Sequence, residues 1–412
     1  MARSTPSRAA PFAAALALLA LLAAACGGGP ASSADARAPA EHARPDHPPH
    51  QRSNAPALIA APAALPANCP DVPSGWSARR LAAEVTTISV DAGDLRAARP
   101  AVRAGAGGVV IFGDSGPADL GARIQQLEHQ APAGPKPIIM ADEEGGGVER
   151  IANLVGSLPW PRTAAKTLTS AALRRKVKRM AQRMHRLGIT MDLAPVLDLD
   201  NGPGPDAHHP DGRRSFSLNP AITTRYSLAF AQGLIDSRVI PVVKHFPGLG
   251  TATNNTDNGR ALIAPLARLE RLDLAPFRAT VNAGTPAVMM SNAVIRGFSR
   301  RPVSVLRRAV TGLLRHQLGF RGLILTDSLT AGALRSAGYT PERAAVAALR
   351  AGADLTLGGD FGTSFDRSTF NATVRAVTAA VAARRLPIAG LRAAATEVFR
   401  AQHGVRCLGT LR

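Results

Sequence analysis

Cysteine occurs only three times in 412 residues, too few for a small disulfide scaffold. Aromatic residues make up 4% of the chain, which argues against a surface that stacks the bases of single-stranded nucleic acid. Lysine is confined to Lys136, Lys166, Lys176, Lys178 and Lys244, so nearly every fixed cation is an arginine. Carboxylates are scarce too. Asp and Glu number 29 against 49 Lys and Arg, a formal net charge of +20. An excess of that size ordinarily points to nucleic acid or to an anionic surface. No basic helix interleaved with aromatics accompanies it, and no recognised nucleic-acid module, so a nucleic-acid partner is not expected. Apolar residues are plentiful at 46%, which excludes a wholly disordered chain.

The first apolar stretch reads as an address. Arg3 and Arg8 precede an apolar run from Ala9 to Ala25, and the run ends Leu22-Ala23-Ala24-Ala25-Cys26-Gly27. A basic start and small residues at the end fit an export signal. The end resembles a bacterial lipobox, which implies a lipid on Cys26. Residues 1–25 are therefore expected to be a lipoprotein signal peptide. The mature protein is expected to be exported and lipid-anchored at the outer face of the cell membrane. Residues 26–68 are rich in Gly, Pro, Ala and Ser with no sustained apolar period. They cannot bury enough surface to offset their ordering entropy and read as a flexible tether. Within it His42, His47 and His50 read as spaced polar residues, not a metal tract. Cys69 and Cys407 bracket what remains, and an even pair in an exported protein is a disulfide candidate.

From Cys69 onward short β-branched runs alternate with helical patterns. The expected strands are Thr86–Val90, Val109–Phe112, Ile138–Ala141, Ile189–Leu193, Val239–Val243, Ala287–Met290, Leu323–Thr326 and Leu355–Leu357. Helical stretches lie between them, among them Ala118–Gln130, Ala164–Leu187, Ala221–Ser237, Leu266–Asn282, Ser304–Leu318 and Pro341–Ala351. This regular alternation predicts an α/β fold, a (β/α)8 TIM barrel, as a single catalytic domain over 69–412. An open doubly wound sheet is the alternative, but it would place a Gly-rich turn after an early strand. Gly105-Ala106-Gly107-Gly108 precedes its strand instead. Polar residues collect where strands end: Asp142, Asp198, Asp200, Lys244, His245, Asn292 and Asp327. In a barrel those ends ring one mouth, where active sites form.

Five segments carry a family resemblance, in one order. Lys244-His245-Phe246-Pro247-Gly248-Leu249-Gly250 closely resembles the KHFPGHG signature of glycoside hydrolase family 3, in its β-N-acetylhexosaminidase branch. Asp142-Glu143-Glu144-Gly145-Gly146, Asp192-Leu193-Ala194-Pro195-Val196-Leu197-Asp198, Arg214-Ser215-Phe216 and the segment Gly319 to Leu329 are similar to its other motifs. The resemblance spans roughly Asp91 to Gly358 and implies a barrel. The family's frequent second domain is expected to be absent.

It also implies roles. Asp327 matches the nucleophile that forms a covalent glycosyl-enzyme. Asp142, Arg214, Lys244 and His245 match positions that bind sugar hydroxyls. A retaining mechanism needs a second acid/base group about 5–5.5 Å from the nucleophile. In this branch an Asp-Ser-His on a loop supplies it, and the matching residues here are Asn255-Thr256-Asp257. Asp257 is thus the candidate acid/base, with His208 and His209 as reserves. Gly147 stands where the family usually has Arg, which removes a cation near the sugar.

The expected function is an exo-acting retaining β-N-acetylhexosaminidase acting on terminal β-linked N-acetylglucosamine of cell-wall fragments. The alternative is a weak or inactive glycan-binding protein of the envelope on the same barrel. The partners expected are a carbohydrate substrate and the membrane, through the lipid; the protein is expected to be a monomer. Cys and His are too sparse and badly spaced for a metal site, and no cofactor is implied.

Overall fold

The computed structural model describes residues 69–207, 209–359 and 366–408. The predicted signal, the tether, Cys26 and His208 lie outside the described residues. Eleven strands occur in the described chain: β1 (Thr87–Asp91), β2 (Gly108–Phe112), β3 (Ile138–Ala141), β4 (Glu143–Gly145), β5 (Val148–Glu149), β6 (Met191–Asp192), β7 (Ile240–Phe246), β8 (Leu262–Ile263), β9 (Ala287–Met290), β10 (Val294–Ile295) and β11 (Leu323–Thr326). Seven of them form one sheet in the order β1-β2-β3-β6-β7-β9-β11, and every pairing in it is parallel. Helices fill the crossovers, as parallel neighbours require.

The sheet is curled. Leu355 bridges to Leu325 beside β11, and Thr356 bridges to Thr86 just before β1. Backbone hydrogen bonds run on both sides of this short segment. Thr326 N–H donates to Leu355 C=O at 3.0 Å, and Thr87 N–H donates to Thr356 C=O at 3.1 Å. The expected strand Leu355–Leu357 thus pairs through single bridges, because two ladders share a very short piece of chain.

Alternation along the strands explains both faces. Val110, Met140, Ile240, Val242, Met289, Leu323 and Leu325 form one apolar cluster inside the curl. Val109, Ile139, Val243, Val288 and Ile324 face the helices. Sheets buried on both faces are expected to read as continuous apolar runs, and these do. Ala401 and Val405 join the inner cluster, so the last helix, Ile388–Gln402, covers the end where the strands begin. Cys69 and Cys407 are joined by a disulfide with Cα atoms 5.3 Å apart.

The expected helix Ala164–Leu187 is two helices, Pro161–Thr167 and Ser170–Arg186. Leu168 is extended, and the Thr169 hydroxyl accepts the N–H of Ala172. A cap residue that satisfies an orphan N–H favours starting a new helix over continuing the old one. Strand β7 runs through to Phe246, so Lys244 and His245 lie within it. Two helices, Arg367–Ala382 and Ile388–Gln402, follow the eighth unit. No helix of the described residues is long and apolar enough to cross a membrane.

Candidate active site

The parallel strands deliver their last residues to one end of the curl. Asp142 follows β3, Lys244 and His245 lie in the last three residues of β7, and Asp327 follows β11. Ile240 and Val242 point inward, and Lys244 continues that period into the mouth. Its ammonium is buried, 2.6 Å from Asp142 Oδ1 and 2.7 Å from Glu144 Oε1. Arg214 grips Glu144 from the other side with two parallel bonds of 2.8 Å. Burial would raise the Glu144 carboxyl, but Arg214 and Lys244 hold it well below the usual carboxylate range. Burial would likewise lower Lys244, yet Asp142 and Glu144 keep it above its ordinary value. Glu144, Lys244 and Arg214 are therefore each held in the charged form by their neighbours.

His245 is oriented separately. Its Nδ1 lies 2.6 Å from Asp198 Oδ2, and Asp198 also accepts the backbone N–H of His245 and of Leu249. A histidine anchored at Nδ1 turns Nε2 outward. Burial keeps His245 below its ordinary range and so favours the neutral ring. Asp198, Asp211 and His245 bring potential ligand atoms within 4.8 Å of one another. The Asp198 carboxylate and the His245 Nδ1 are already committed to each other and to the backbone, so the cluster is built to orient the ring.

Asp327 is half-buried. Its Oδ1 accepts the N–H of Ser328 at 2.7 Å, and its own N–H donates to Met290 C=O at 3.0 Å. Burial lifts its carboxyl to about 6; the nearby His245 opposes the rise and Asp257 adds to it. The carboxyl is thus largely ionised at neutral pH, as a nucleophile must be.

Asp257 is exposed, on the loop between β7 and β8. The loop is pinned against the chain that follows Asp327. Asp257 C=O accepts the N–H of Gly332, and Thr256 C=O that of Ala333, both at 2.8 Å. A Cβ on Gly332 would meet Asp257 O at 2.6 Å, so the approach requires glycine there. Asn255 Oδ1 accepts the N–H of Asp257 at 2.9 Å. Of the reserve residues, His209 is described, with Nδ1 3.2 Å from the buried Asp200 Oδ1.

Several partners were not singled out in the sequence. Glu144 is the most central: it stands in the quoted Asp-Glu-Glu-Gly-Gly motif, yet its neighbour Asp142 drew the role. Asp211 is fully buried 3.4 Å from Arg214. The expected loss of a cation at Gly147 also changes meaning. A Cβ at Gly147 would lie 2.7 Å from the Trp160 ring, and one at Gly146 2.1 Å from it. The indole covers the glycines, and the Arg213 guanidinium sits 4.6 Å over that indole. Arg150 stands 3.7 Å from Asp142 Oδ2. Arg150 and Arg213 thus place cations beside this segment without an arginine at 147.

The chemistry this permits is narrow. An ionised carboxylate, a second carboxylate on an adjoining loop and a ring of charged donors and acceptors suit attack on an acetal carbon, with bonds to surrounding hydroxyls.

Comparison with known proteins points the same way. Residues 99–401 match the model of the glycosyl hydrolase family 3 N-terminal domain. The beta-hexosaminidase LpqI of Mycobacterium tuberculosis is 33% identical over 304 residues, 71% of this chain and 76% of that protein. A solved glycosyl hydrolase of the same family from Mycobacterium smegmatis superposes with TM-score 0.71 at 32% identity, covering 82% of this chain and 99% of that one. A beta-N-acetylhexosaminidase from Beutenbergia cavernae superposes with TM-score 0.73 at 28% identity, covering 80% and 100%.

Proposed function

The chain belongs to glycosyl hydrolase family 3, and from that membership we propose that it is an exo-acting, retaining β-N-acetylhexosaminidase. Its substrate class is terminal β-linked N-acetylglucosamine on cell-wall fragments. Asp327 attacks the anomeric carbon as the glycosidic C–O bond breaks, and the leaving oxygen takes a proton from the acid/base group. Water, deprotonated by that same group, then releases the sugar and frees Asp327. Asp142, Lys244, Arg214 and His245 hold the ring hydroxyls, with Glu144 fixing the two cations. The single observation that carries this reading is Asp327, ionised above about pH 6, among these groups in a chain matched to the family over most of its length. The names of the relatives favour a hydrolase, and nothing in them supports the non-catalytic alternative.

Asp257 serves as acid/base in this proposal. Its loop is tied to the segment after Asp327, and its charge already acts on that carboxyl. A second reading gives the role to His209, because its pairing with buried Asp200 resembles the orienting partner a catalytic histidine needs. The fold completing this site is a closed (β/α)8 barrel over 69–412, supported by the two bridges of the 355–356 segment. A signal peptide over 1–25, lipid on Cys26, a tether over 26–68 and a monomer at the outer face of the membrane complete the proposal.

The test is release of product from a chromogenic β-N-acetylglucosaminide. Wild type turns it over, and Asp327→Asn loses at least about 10⁴-fold. Absence of turnover by the wild type, or equal rates, overturns the reading. Asp257→Asn and His209→Asn, compared in the same assay, separate the two acid/base assignments.

A further inference from the structure

A cleft of about 910 Å³ opens on the outside of the sheet–helix body. Its walls come from four separate stretches of chain: the helix 308–317 and the residues before it, Arg321, the end of helix Pro341–Ala351 with the residues after it, and the run from the turn 384–387 into helix Ile388–Gln402. Arg321 lies just before β11 and Asp354 just before the bridging Leu355. The cleft therefore lies toward the end where the strands begin, whereas Asp327 and its partners follow the strand ends.

Eight of its 23 lining residues are arginine, against 44 in the 412 residues of the chain. Coding bias for arginine acts on the whole chain and does not account for that concentration. Two acids line the cleft, and both are engaged. Asp354 is buried, 2.5 Å from Arg315, and Glu397 lies 2.8 Å from Arg400. Arg307, Arg308, Arg321, Arg350, Arg384 and Arg385 are exposed. Among the described residues none of these six forms an ion pair. Like charges crowded along one concave wall repel one another, and a bound anion relieves that repulsion. The floor is apolar, from the buried Val305, Leu349 and Leu386, which lowers the local dielectric and strengthens each attraction. Guanidinium groups, unlike ammonium, present planar forks that match phosphate oxygens two at a time.

We propose that this arginine-lined cleft is a binding site for phosphate-bearing anions, separate from the carbohydrate site. One chemistry serves two sources, the phosphate headgroup of an anionic lipid and a soluble polyphosphate. The proposal stands whether or not the glycosidase reading does.

The experiment uses the chain with Arg350, Arg384 and Arg385 changed to Gln. A control carries Arg96→Gln, Arg186→Gln and Arg278→Gln, three exposed arginines outside the cleft with the same change in net charge. Binding is measured to inorganic pyrophosphate by calorimetry and to phosphatidylglycerol or phosphatidylcholine vesicles by sedimentation. Both variants should keep the wild-type Tm, since every altered side chain is exposed. A cationic side chain near an anionic surface is worth roughly fivefold, so the cleft variant should lose about 100-fold and the control far less. Loss on phosphatidylglycerol, with phosphatidylcholine inert, assigns the lipid source; loss on pyrophosphate alone assigns the soluble one. Equal loss by the two variants, or no binding of either phosphate probe by wild type, overturns the proposal.

Discussion

The backbone carbonyl of Asp257 accepts the N–H of Gly332 at 2.8 Å, on the segment that begins with Asp327. A loop that carries one carboxylate is thus fastened to the chain that carries the other. Two carboxyls held near each other do not ionise independently, since like charge disfavours the second ionisation.

That coupling gives the first prediction. Asp327 has a carboxyl raised to about 6, partly by Asp257. Activity needs it ionised, so kcat/KM should fall as pH drops through about 6. In Asp257→Asn the like charge is gone and the acid limb should move to lower pH. The same variant should lose about 10²–10⁴-fold on substrates with poor leaving groups. A pH–rate series on both proteins checks this. An unmoved acid limb with unchanged rate would remove Asp257 from the chemistry.

Lys244 is buried between Asp142 and Glu144. Removing one partner of a buried charge cluster strands the others in low dielectric, at a cost of about 3–5 kcal/mol. Lys244→Met should lower the unfolding free energy by that order, and Lys244→Met with Glu144→Gln should recover part of it. Urea titrations of the single and double variants decide. Additive losses would mean the two groups do not interact.

Glu143 accepts the N–H groups of Arg150 and Ile151 with one oxygen; burial pushes its carboxyl up to about 8. The folded state thus holds this proton more tightly than the unfolded chain does. Its contribution is fully present below the ordinary carboxylate range and is lost as pH rises through about 8. Asp192 behaves alike. Tm should therefore decline from pH 5 to pH 8.5, and Glu143→Gln should flatten the decline. A scanning-fluorimetry series in pH checks it, and identical slopes would contradict it.

Cys69 and Cys407 are 338 residues apart in the chain. Opening so long a loop typically costs about 2–5 kcal/mol. The double serine variant should lose that much stability while keeping its KM, because the bond lies away from the mouth. Denaturation with and without reductant should give the wild type the same loss.

What the sequence makes legible follows from distance along it. Asp142, Lys244 with His245, and Asp327 each stand at the end of a short apolar run, so strand pattern and position reveal them together. The grip of Arg214 on Glu144 joins residues 70 positions apart, and no local pattern encodes it. Trp160 over Gly147 is hidden for the same reason; the family resemblance reports a missing cation, while the ring that occupies the space lies in another segment. Asp257 is legible only by alignment to a motif it departs from. The arginine cleft is the extreme case, since four stretches that look ordinary singly meet in one wall.

The segment that enters at Cys69 does not end in a free edge. It lies along the last helix, where Arg392 donates to the carbonyls of Pro73, Ser74 and Trp76, and Arg400 meets Asp71 at 2.6 Å. Seen as a mechanical part, this is an anchorage. A pull on the chain ahead of Cys69 is shared, through a covalent bond, with Cys407 and the helix beside it before it reaches β1. Load entering by that end is thus spread over two distant parts of the chain before it bears on the strands that hold Asp142, Lys244 and Asp327.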